Sequence, residues 1–103
     1  MEPVSGGLFA FFATAVADAV EGRRSGARHA MLIYVTAPDF ESAQAKAAGI
    51  ALGTGWMLVR LEKGMLVPPD RPQPDPLLQT AAESALAEGS AIVVYGDELP
   101  PEA

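Results

Sequence analysis

The side chains best suited to chemistry in this chain are Arg23, Arg24 and Arg28, then His29, Tyr34 and, farther along, Trp56. Arginine forks match the oxygens of a carboxylate or phosphate. The one histidine beside them is of the type that exchanges a proton near neutrality. Tyr34 and Trp56 add flat apolar faces with a polar edge, against which a ligand can stack. These six residues form the candidate ligand-binding set, suited to a small anion. A plainer reading stands beside it. Arginines keep a hairpin loop solvated, and a lone His, Tyr or Trp on a strand fills a core without further duty. Asp18, which interrupts an apolar stretch, admits the same two readings: a base facing His29 across a hairpin, or a solvent-facing charge on a strand.

No residue is assigned a catalytic role. The chain lacks Gly-x-Ser-x-Gly and His-Glu-x-x-His patterns. Its glycine-bearing segment, residues 49–55, has no Gly-Lys-Ser/Thr ending and closes a helix, whereas phosphate sites open one. The lack of cysteine excludes disulfides and thiolate nucleophiles, and with one histidine only it argues against a structural zinc site. No cofactor and no metal are expected.

Charge is distributed unevenly. Residues 1–69 carry six acids and six bases, whereas residues 70–103 carry seven acids against Arg71 alone, so the whole net charge of −6 falls in the last third. Nucleic-acid binding needs cations gathered to release counterions from phosphates, so the composition argues against it. Leu8 to Ala17 is an apolar run of ten residues, but Glu2 and the lack of any Lys or Arg before it deny it the basic start of a secretory signal. That run is about half the length needed to span a bilayer. The expectation is a cytoplasmic protein with no membrane association.

The elements that must position these residues follow from periodicity. Ala30 to Thr36 is apolar on both alternating faces, rich in β-branched residues and ended by Pro38, the mark of a strand covered on both sides. Residues 8–20 carry a helical stripe of Phe9, Phe12, Ala13, Val16 and Val20. From Ala13 onward, however, alanine alternates strictly with other residues, which favours a strand with one small-residue face. Asp39 caps a helix over residues 40–52, with Gly49 suggesting close approach to a sheet. Residues 56–62 form a strand, Lys63-Gly64 is a turn candidate, and residues 65–67 fold back as a short strand. Five prolines between Pro68 and Pro76 make residues 68–76 a stiff surface connection. Asp75-Pro76 then opens a helix over residues 77–88. Ala91 to Tyr95 reads as another central strand, and residues 97–103 as an acidic tail.

The expected architecture is a single α+β domain over residues 1–103. It is a ferredoxin-like sandwich of order β-β-α-β-β-α-β, with a mixed, mostly antiparallel sheet. Right-handed crossovers place both helices on one face. The bare face would then seek a cover, with Phe9, Phe11, Phe12 and Leu58 as candidate interface residues in a homodimer. The leading functional expectation is a dimeric, non-catalytic interaction or regulatory module that binds another protein. Two alternatives stand beside it. One is a protein or modest enzyme binding a small anion in a cleft at the dimer interface. The other is an acidic inhibitor that imitates nucleic acid.

Overall fold

A computed structural model describes residues 7–68 and 73–100 of the chain. Its elements are β1 (Gly7–Ala17), β2 (Arg28–Ala37), α1 (Phe40–Gly53), β3 (Trp56–Val67), α2 (Pro76–Glu88) and β4 (Ser90–Glu98). The strands form one antiparallel sheet in the order β3-β1-β2-β4. The fold is therefore a small α+β fold, but not the ferredoxin-like sandwich expected from the sequence: both the number of strands and their order differ.

Two local causes explain the difference. Lys63-Gly64 is not a turn, because β1 offers β3 an uninterrupted partner there: Phe12 faces Lys63, Phe11 faces Gly64 and Ala10 faces Met65. The glycine serves close packing instead. A Cβ on Gly64 would lie 2.4 Å from the Phe11 ring and 3.0 Å from that of Phe40. The second cause concerns handedness. Strands β3 and β4 lie at opposite edges and run antiparallel, so the right-handed rule for parallel crossovers does not govern their connection. Helix α2 passes over the face that α1 leaves open, and the helices lie on opposite faces of the sheet.

The α1 face is built from small residues. Ala13, Ala15 and Ala17 of β1 meet Ala43, Ala47 and Ala51 of α1, all six with no solvent exposure, and Phe9, Phe11, Met31, Ile33 and Val35 complete the cluster. The alternation of alanine along residues 13–17 thus marks a strand whose small face admits a helix at close range. Phe40 is half-exposed but packs against Phe9 and Phe11, with ring centroids 6.1 and 5.4 Å apart. On the α2 face, Ala81, Ala82 and Ala85 cover Leu8, Ala10, Tyr34, Val67 and Val93. Leu86 of α2 is exposed. Gly49 is exposed as well, with open space where a Cβ would point, so close packing does not explain it.

Helix starts follow their caps. Asp39 Oδ1 accepts from the Ser42 amide at 2.7 Å, and Asp75 Oδ1 from the Leu77 amide at 2.8 Å with Pro76 opening the helix. Gly89 ends α2 at φ 102°, a left-handed conformation that suits glycine. Strand β4 is an edge strand, not a central one; it is apolar on both sides because Ile92 and Val94 pack on the α1 cluster and Ala91 and Val93 on the α2 cluster. It continues through Asp97 and Glu98. No helix among the described residues is long and apolar enough to cross a membrane.

Candidate functional site

The six residues singled out for ligand binding are divided among three places. Arg23 and Arg24 lie in the loop between β1 and β2. Arg24 forms an exposed ion pair with Glu98 at 2.8 Å, which ties that loop to the end of β4. The hydrogen bond and charge of Arg24 hold the Glu98 carboxyl below its ordinary range. Arg28, at the start of β2, reaches to β1 and donates to Thr14 Oγ1 at 3.3 Å.

His29 and Trp56 come together at the α1 face, edge to face, with ring centroids 5.7 Å apart. His29 is 2% exposed. Its Nδ1 lies 3.0 Å from the Tyr95 carbonyl, and its Nε2 is buried with no hydrogen-bond partner among the described residues. The ring engages Tyr95 rather than Asp18, which is exposed and whose carbonyl accepts from Ser25 Oγ. A proton-transfer group has to reach the atom it serves. His29 is enclosed by packing and reaches none from solvent.

Tyr34 lies on the opposite face, 1% exposed, in the floor of a groove. The α2 layer covers β1 only as far as Ala10; Phe12, next on that face, is 39% exposed. Between helix and open sheet lies a half-enclosed cavity of about 320 Å³. Ala10, Phe12, Leu32 and Tyr34 form its floor; Lys63, Met65 and Val67 of β3 form one wall. Pro68, Gln73, Pro74 and Leu78 close the side toward α2. The Tyr34 hydroxyl donates to Gln73 Oε1 at 2.7 Å, and the Gln73 amide donates to Gln79 Oε1 at 2.8 Å, so that wall is pinned to α2. Burial pushes the Tyr34 phenol above its ordinary value, and the Tyr95 phenol adds to the shift.

Comparison of the chain with protein-family models, with curated proteins and with solved structures finds no match.

The candidate interface residues separate in the same way. Phe9 and Phe11 are buried beneath α1, Phe12 stands at the groove, and Leu58 projects from β3 at 70% exposure with φ 51°. That φ accompanies a break in the pairing of β3 with β1, between Thr14 and Val16. Sequence reasoning missed Lys63, Met65 and Gln73 as groove residues. The supposed turn at Lys63-Gly64 took Lys63 out of the strands and gave Met65 to a short strand of its own. A usable signal was present in Leu8-x-Ala10-x-Phe12, where a small residue between two large ones on one strand face leaves a hollow.

Proposed function

We propose that this protein is a non-catalytic binding module whose working surface is the groove on the α2 face, and that the groove takes a compact apolar ligand. The observation that carries this reading is the half-enclosed cavity of about 320 Å³ floored by Phe12, Leu32 and Tyr34. Small-molecule sites are clefts of such size, mostly apolar, with a few polar groups that set orientation. Here the polar groups are Lys63, Gln73 and the Tyr34 hydroxyl. Among the described residues, the lining places no nucleophile beside a base, and no group of three His, Asp or Glu residues is placed to hold a metal ion.

A neutral solvatochromic dye such as Nile red tests it. The expected result is one-to-one binding that Phe12→Asp abolishes and Leu66→Asp, on the α1 face of β3, leaves intact. Binding unaffected by Phe12→Asp overturns the assignment.

A second reading is the homodimer, in which a second copy covers the open half of the sheet and presents a protein-binding surface. Phe12 at 39% and Met65 at 54% exposure, both at the groove, favour it. Native mass spectrometry separates the two readings: a dimer dissociated by Phe12→Asp supports the second, and a monomer at tens of micromolar removes it.

A further inference from the structure

The polar groups of the groove are unequal in kind. Lys63 is charged, and neither Asp nor Glu is among the described residues that line the cavity. Gln73 Oε1 already accepts from the Tyr34 hydroxyl, which leaves that oxygen one lone pair and the side-chain amide its two N–H donors. An ammonium has donors only. Among the described residues, the groove therefore presents an apolar floor bordered by a cation and an amide, with no fixed negative charge on the lining.

We propose that the groove binds a small monocarboxylate with a compact apolar body, the carboxylate at Lys63 and the body against Phe12, Leu32, Tyr34 and Met65. This rests on the reading of the groove as a ligand site. Charge complementarity selects the head group: one cation matches one negative charge, whereas a phosphate monoester would bring a second charge with no arginine fork among the described lining residues to receive it. Size selects the body. At about 30 Å³ for each water-sized group, a cavity of about 320 Å³ holds on the order of ten non-hydrogen atoms. Octanoate and 3-phenylpropanoate are acids of that size.

Octanoate and octan-1-ol, which share their chain and differ in charge, separate the two layers of the argument. Binding is followed by calorimetry and by the methyl resonances of Leu32, Met65 and Leu78 in the wild type and in Lys63→Met. Lys63 is exposed, so its replacement does not disturb a core. The expected result is that both probes shift these methyls and that octanoate binds about fivefold more tightly, as suits one partly solvated ion pair. Lys63→Met is expected to abolish that preference. Equal affinity for the two probes, or a preference that survives Lys63→Met, overturns the carboxylate assignment while leaving an apolar ligand site in place. If neither probe moves the methyls, the ligand site itself is refuted, and the carboxylate assignment with it.

Discussion

A buried histidine and an exposed aspartate show how local surroundings decide the role of a titratable side chain. His29 was the natural candidate for proton transfer, yet its ring is sealed between Trp56 and the carbonyl of Tyr95. It holds β2 to β4 where their register shifts between His29 and Met31. Asp39 is exposed, and its effect is measurable through acid. The Ser42 amide, and secondarily its side chain, holds the Asp39 carboxyl below its ordinary value. A carboxylate whose folded pKa is lowered stabilises the fold above its unfolded pKa, and that contribution is lost as pH falls through the folded value. Asp39→Asn is therefore expected to melt at a lower temperature than wild type at pH 7. The gap should close on acidification below about pH 4, where the ordinary carboxylate range ends. Thermal melts by circular dichroism at pH 7 and pH 3 check this; a gap of equal size at both would remove the charged cap as its source.

At the level of elements, β3 decides the fold. Had Lys63-Gly64 turned, the chain would have spent a further strand and sent α2 elsewhere. Instead β3 runs for 12 residues along β1, and Gly64 receives the rings of Phe11 and Phe40 where a side chain would stand. Gly64→Ala places a methyl group within 2.4 Å of the Phe11 ring, and such overpacking typically costs about 1–3 kcal/mol. Chemical denaturation should show that loss, and Gly64→Ala paired with Phe11→Leu should recover part of it. A single variant as stable as wild type would mean that glycine there answers to something other than the rings. Two pairing breaks in the same strand, near Leu61 and Leu58, bend the exposed edge, and Arg60, Glu62 and Lys63 charge it. Both devices discourage edge-to-edge association.

Across the whole molecule, the two helical layers are unequal. The alanines of α1 that face the sheet are wholly buried, whereas in α2 only Ala85 is, Ala81 and Ala82 retaining 8% and 4% exposure; two leucines of α2, Leu77 and Leu86, are more than half exposed, against one, Leu52, in α1. Local opening follows the density of buried apolar contact. Amide exchange is therefore expected to be slowest in β1 and β2, slow in α1, and distinctly faster in α2 and in β4 beyond Val94. Uniform protection of both helices would contradict this ordering. The looser layer is also the one that borders the groove. A ligand there would bridge sheet and helix, and protection of α2 should rise when octanoate is added.

Much of this was written in local sequence: the caps at Asp39 and Asp75, the αL stop at Gly89, the doubly covered strand at Ala30–Thr36, and the small face of β1. Each depends on backbone geometry or on a period of two, which neighbours in sequence suffice to encode. The tertiary structure alone decided which face α2 covers, that β4 takes an edge, and that Lys63 and Met65 join Phe12 at one groove. Those outcomes depend on which strand pairs with which, and pairing is selected by burial summed over the whole sheet rather than by any short stretch. The same reason separated His29 from Tyr34. Five positions apart on one strand, they point to opposite faces, and the sheet carried one into a sealed core and the other to the floor of the site.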